Sequence, residues 1–196
     1  MAKLFVFFVL ALALQVCLAK PKSAAPPAAP AGNVLEDLAT QAKTIADSVS
    51  KTITDSLPDS TQVTNVLKTQ SQEFANNVQK IVGQLQTKLS ENKGTVDDTI
   101  KTVSENLAKT VTNLQNAAGP ETTAKAKELK GKLDENVKTV AQELDNLIKA
   151  VQPNLQSAGE QVSALTKNVV NEFVESARKL QTKVNEAVNT PQAQGG

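Results

Sequence analysis

From residue 155 to residue 188 aliphatic residues recur at Leu155, Ala158, Val162, Leu165, Val169, Phe173, Ala177, Leu180, Val184 and Val188, with polar residues at most positions between. Every step is three or four residues. Nine steps cover 33 residues, a mean of 3.67. That is close to the 3.6-residue repeat of a straight α-helix, so the stripe runs along one face. It lacks the 3.5 period that winds a left-handed coiled coil.

Four more segments follow the same rule, and breakers separate them. Helix 1 is expected over Val34–Leu57, with stripe Leu35, Leu38, Ala42, Ile45, Val49, Ile53 and Leu57. Asn33 with Glu36 forms a capping-box pattern at its start, and Pro58 ends it. Asp59 with Gln62 starts helix 2, whose stripe is Val63, Val66, Gln70, Phe74, Val78, Ile81, Leu85 and Leu89. It ends near Asn92, with Gly94 as the stop and Gly83 inside at a cost of about 1 kcal/mol relative to alanine. Thr95 with Asp98 starts helix 3, with stripe Val96, Ile100, Val103, Leu107, Val111 and Leu114, closed by Gly119-Pro120. Helix 4 spans about Glu121 to Val151, with Ala126, Leu129, Leu133, Val137, Val140, Leu144, Ile148 and Val151 on its apolar face. Pro153 breaks the chain, and helix 5 runs from about Asn154 to Val188. No segment alternates in the manner of a strand. The expected connections are two to six residues long and favour antiparallel neighbours. The expected fold is therefore all-α, an up-and-down bundle of five long amphipathic helices.

The ends of the chain read differently. Lys3, the apolar run Leu4–Leu14 and the small residues at Cys17 and Ala19 make residues 1–19 a secretory signal peptide. A membrane anchor is the alternative, although the run is short for a bilayer. Residues 20–32 are rich in Ala and Pro and read as an arm or pro-segment, 33–190 as the bundle, and 191–196 as a disordered tail.

Removing residues 1–19 changes the chemistry at hand. What remains has no Cys, Met, His, Trp or Tyr, and its aromatics are Phe74 and Phe173. It holds 20 basic and 20 acidic residues, because Lys3 is the only charge removed. No imidazole can shuttle protons near neutral pH and no thiol can act as nucleophile. There is no P-loop, and zinc lacks its usual ligands. Asp97 and Asp98 are adjacent on a helix and point different ways, which suits first-turn charges better than paired catalysis. The sequence therefore implies no enzyme, no cofactor and no metal. Neutral overall charge and missing aromatics speak against nucleic acid. No disulfide can hold the fold, so burial must. No Asn-X-Ser/Thr sequon is present.

The stripes thus carry the functional question, because they must meet each other or lipid. Each has roughly eight apolar residues worth about 1.5 kcal/mol apiece on burial, on the order of 10 kcal/mol per helix as an upper bound. A helix alone in water forfeits this, whereas a helix moved from bundle to lipid keeps most of it. Three features favour lipid: every helix is amphipathic and none reads as a buried central one, the stripes are nearly all aliphatic, and Lys125, Lys130 and Lys132 flank the helix 4 stripe. Lysines so placed can lay their stems on apolar surface and raise the ammonium into water. The stripe positions are accordingly the candidate lipid-facing residues.

Several runs resemble insect apolipophorin III, most closely its lepidopteran form. Ala29-Pro30-Ala31-Gly32-Asn33 resembles the start of the mature family sequence. Glu172-Phe173-Val174 with Ala177, Gln181, Lys183 and Val184 is similar to the family's last helix, and Lys130-Gly131-Lys132-Leu133 to its fourth. The resemblance covers Ala29 to Thr190. It implies an exchangeable haemolymph apolipoprotein, monomeric when lipid-free, whose bundle opens to coat lipophorin particles and phospholipid surfaces and supports diacylglycerol transport. It also implies recognition of microbial lipopolysaccharide or β-glucan as an alternative role. The family's lipid-contacting linking segment matches Pro120, Glu121, Thr122 and Thr123, where Thr122 replaces a valine. A structural, desiccation-type helical protein is a further alternative, which the discrete caps and proline stops disfavour.

Overall fold

The computed structural model describes residues 31–56, 61–91, 96–119 and 125–189. The expected signal peptide, most of the arm, the tail, the linking segment Pro120–Thr123 and the capping residues Asp59 and Thr95 lie outside the described residues. Five helices account for nearly all the rest: α1 (Ala31–Ser56), α2 (Thr61–Glu91), α3 (Asp97–Ala118), α4 (Ala126–Val151) and α5 (Leu155–Asn189). They are long because apolar stripes at helical spacing continue past the internal glycines Gly83 and Gly131. At 1.5 Å per residue, the 35 residues of α5 span about 52 Å.

The helix ends depart from the expected caps. α1 already begins at Ala31, so Asn33 lies inside its first turn and not at the cap. α3 begins at Asp97 behind Val96, whose side chain cannot cap. Its carbonyl accepts the Ile100 N–H at 3.0 Å instead, and Asp97 and Asp98 supply negative charge in the first turn. α4 begins at Ala126, five residues later than expected, because Lys125 is extended (φ −79°, ψ 161°). Seven residues, 119–125, thus separate the described ends of α3 and α4, against an expected maximum of six. Gly119 closes α3 in extended geometry (φ −59°, ψ 159°), as suits a residue before proline. Pro153 does not open a loop. It sits in a 3₁₀ turn, Gln152–Asn154, that follows α4 directly and leads into α5.

Packing order differs from chain order. α1 lies against α4 and α5, α2 against α3 and α5, and α3 against α4. Consecutive α1 and α2 do not pack side by side, since α5 comes between them. The helices form a ring in the order α1, α4, α3, α2, α5. Polar contacts set the directions: Gln72 near the start of α2 donates to the Ala118 carbonyl at the end of α3 (2.8 Å). Gln84 and Lys88 of α2 meet Glu172 and Gln161 of α5 in reverse order. Both pairs are antiparallel. α4 also touches α2 and so meets all four other helices, while its polar face stays exposed.

One core runs the length of the bundle. It includes Leu35, Val49 and Ile53 of α1, Phe74 and Leu85 of α2, Leu107 and Leu114 of α3, Leu133 and Leu144 of α4, and Phe173 and Val184 of α5. Its two aromatic rings meet edge to face, with centroids 6.2 Å apart and planes at 67°. Such a pair adds about 0.5–1.5 kcal/mol beyond burial.

Candidate lipid-binding surface

The expected stripe residues converge on this core. In α1 Leu35, Leu38, Val49 and Ile53 are buried, and Ile45 is half-buried against them. In α2 Phe74, Val78, Ile81 and Leu85 are buried. Val66 is not a core residue: it is half-buried and lines a shallow groove beside Lys183 and Ala187. Its neighbour Leu67 takes the core position at 0% exposure. In α3 Ile100, Val103, Leu107 and Val111 are buried, as are Leu129, Leu133, Val137, Val140, Leu144 and Ile148 in α4. In α5 Val162, Val169, Phe173, Leu180 and Val184 are buried, with Leu165 half-buried. Among the described residues Val34 is the one exposed large hydrophobic.

A single-file stripe underestimates the buried face. Leu67, Val82, Leu147, Val170 and Val174 are all buried, yet lie off the expected line. Each stands beside a position already on its helix's stripe. The adjacent apolar pairs Val66-Leu67, Ile81-Val82, Leu147-Ile148, Val169-Val170 and Phe173-Val174 are the signal. A core-facing helix presents an apolar arc of 100° or more, and such pairs widen the arc.

Several polar groups inside this surface are self-contained. Buried Thr166 donates to the Val162 carbonyl (2.9 Å), Thr110 to Asn106 (3.1 Å), and Asn136 to Lys132 (2.6 Å). Each partner lies one turn back on the same helix. Those bonds survive if the helix leaves its neighbours, so these residues impose no extra desolvation cost on separation. Ser104 Oγ and Gln84 Oε1 are buried without a partner among the described residues.

Ties between helices sit nearer the rim. Gln181 donates to Ser48 Oγ (2.7 Å), joining α5 to α1. Gln84 donates to Glu172 (2.7 Å), joining α2 to α5, and Asn106 to Glu143 (3.1 Å), joining α3 to α4. Asp145 is the most enclosed: its carboxylate meets Lys43 of α1 at 3.0 Å and Lys149 of its own helix at 2.7 Å. Burial raises its pKa, but the hydrogen bonds and charges of Lys149 and Lys43 together outweigh burial and hold the carboxyl below its ordinary value. At the exposed rim Lys183 is held above its ordinary value by its hydrogen bond to Glu186 and by that group's charge.

No group of three or more His, Cys, Asp or Glu side chains among the described residues is placed to hold a metal ion. No described helix is long and apolar enough to cross a membrane. Two open grooves among the described residues lie along the α2–α5 boundary, one of about 800 Å³ lined mainly by Lys, Gln, Asn and Glu.

Helices with apolar arcs turned mainly inward and polar ties at the rim define a closed bundle of amphipathic helices. The fold is similar to that reported as the molecular structure of an apolipoprotein determined at 2.5 Å resolution. The TM-score is 0.68 over 80% of this chain and 99% of that one, at 15% identity. The family described as Apolipophorin-III precursor (apoLp-III) matches residues 39–187. The chain belongs to the apolipophorin-III family, a family of lipid-binding apolipoproteins. No curated protein sequence matches it.

Proposed function

We propose that this protein is an exchangeable apolipoprotein, secreted into haemolymph, that opens its bundle to coat lipophorin surfaces and so supports diacylglycerol transport. The observation that carries the reading is the inward orientation of the stripes in a chain of this family. The closed form presents little apolar surface to lipid. Lipid contact through the stripes therefore requires the helices to exchange one another for lipid. Burial is retained in that exchange, because apolar area is removed from water in both forms. The balance then follows the amount of lipid surface available.

The test is to mix purified protein with dimyristoylphosphatidylcholine vesicles. Conversion of vesicles to discs, with helix retained, supports the reading. Protein that leaves the vesicles intact and sediments apart from them overturns it. The alternative role in recognising microbial lipopolysaccharide separates from transport by its dependence on salt.

A further inference from the structure

We propose that Lys88 and Gln161 form a modification site, at which an enzyme of the transglutaminase class joins the two side chains by an isopeptide bond between α2 and α5. Such enzymes use a thiol to transfer the acyl group of a glutamine to an amine. The inference goes beyond the lipid-binding reading and does not depend on it.

The contact between the two residues carries the argument. Lys88 lies in the last turn of α2 and donates from Nζ to Oε1 of Gln161, near the start of α5, at 2.5 Å. The two reacting groups are therefore already side by side, an amine and the carboxamide it would acquire. Gln161 is exposed and Lys88 is half-buried. The open groove of about 800 Å³ runs past Gly83 and Gln84 to Lys88, which leaves space on one side of the pair.

The other described glutamine contacts between helices differ in chemistry. Gln72 ends on the Ala118 carbonyl, Gln84 on the Glu172 carboxylate and Gln181 on the Ser48 hydroxyl. None of those partners is an amine. Lys43 also reaches across a helix boundary, but it meets the Asp145 carboxylate, which is not a transglutaminase substrate.

The reaction balances without oxidant or reductant. The enzyme thiolate attacks Cδ of Gln161, the carboxamide C–N bond breaks, and the nitrogen leaves as ammonia with a proton from the enzyme. The Lys88 amine, after losing a proton, attacks the thioester. The C–S bond breaks, the thiol is restored, and an amide between Lys88 Nζ and Gln161 Cδ remains. An amine held beside the acyl group outcompetes dissolved amines, because the fold has already restricted its motion. The link encloses the whole of α3 and α4. Cross-links around long segments restrict the unfolded chain most. Beyond Cys17 the chain has no cysteine, so no intrachain disulfide can take this role.

The test treats the full chain with purified microbial transglutaminase, shown active on casein in parallel, in the presence of dansylcadaverine as a competing amine. Intact mass and a tryptic peptide map are measured. The expected product is a single chain lighter by one ammonia, with a peptide that joins Lys88 to Gln161. Lys88→Arg should abolish the link and raise dansylcadaverine uptake at Gln161 by about tenfold or more, because arginine keeps the charge but does not attack the thioester. Gln161→Asn should abolish both link and uptake. Circular dichroism checks that each variant is folded, and the parent's peptide map decides the matter without either. Four results would each overturn the site: unchanged mass with active enzyme, dansylcadaverine on Gln161 of the parent in place of the link, a bond between other residues, or linked chains alone.

Discussion

Lys43 on α1 and Lys149 on α4 hold the two oxygens of one carboxylate, Asp145, at 3.0 and 2.7 Å. The carboxylate is 9% exposed while both ammonium groups lie largely in water. It thus ties two helices that are distant in sequence and neighbours in the ring.

This pair makes stability depend on acid. The folded-state pKa of Asp145 is lowered from its ordinary value of 3.8. Its contribution is fully present above the unfolded value, and is lost as pH falls through the folded one. Asp145→Asn should cost about 1–2 kcal/mol at pH 7, at the lower end for charged hydrogen bonds because both lysines are exposed. The difference from the parent should shrink as pH falls below the ordinary value of 3.8 and through the lower folded one, where the parent carboxylate protonates. Urea unfolding of both proteins between pH 7 and pH 3 checks this. A constant difference across the range would mean that the carboxylate's charge is not what matters.

Gly83→Ala should stabilise the closed bundle. The position is mid-helix in α2, and an added methyl meets nothing within 4 Å. The expected gain is about 0.5–1 kcal/mol from helix propensity, seen as a higher urea midpoint at unchanged slope. A lower midpoint would show that the groove beside Gly83 is narrower in solution.

Phe173→Ala should be among the most damaging single changes. It empties a site that is 1% exposed and removes half of the aromatic contact. A cost of about 3–5 kcal/mol is expected, a large part of a typical domain's stability. Phe173→Leu should cost less, because it preserves most of the volume. Thermal unfolding of the two variants gives the order, and equal losses would contradict the core position of the ring.

Binding to zwitterionic vesicles should change little between low and high salt. Apart from Lys3 the chain balances 20 basic against 20 acidic residues, and the surface proposed to meet lipid is aliphatic. Screening weakens contacts between exposed charges and leaves apolar burial intact. A vesicle flotation assay at two salt concentrations decides. A steep loss of binding with salt would favour an anion-seeking surface and the lipopolysaccharide role.

The five helices and most of their inward faces were legible in the sequence, because helical periodicity is local: residues three and four apart share a face whatever the helix packs against. Ile100, Val103, Leu107 and Val111 show this, as does nearly the whole of α4. Local patterns served less well at helix ends. A capping signature at Asn33 competes with continued helix upstream, and Lys125, without any breaking residue, turned out to be extended.

What periodicity could not supply was the partner of each face. Whether Val66 or Leu67 points to the core depends on a rotation of about 100° that only α3 and α5 set. The same holds for the ring order, in which α5 stands between α1 and α2. It holds again for Asp145, one of many polar residues in the sequence, whose meaning comes from Lys43 across a helix boundary. The sequence by itself determined how many helices there are and which residues must leave water, because both follow from spacing along one chain. Tertiary structure alone decided which helices lie together and which polar groups tie them, because these depend on contacts between residues that no local pattern links.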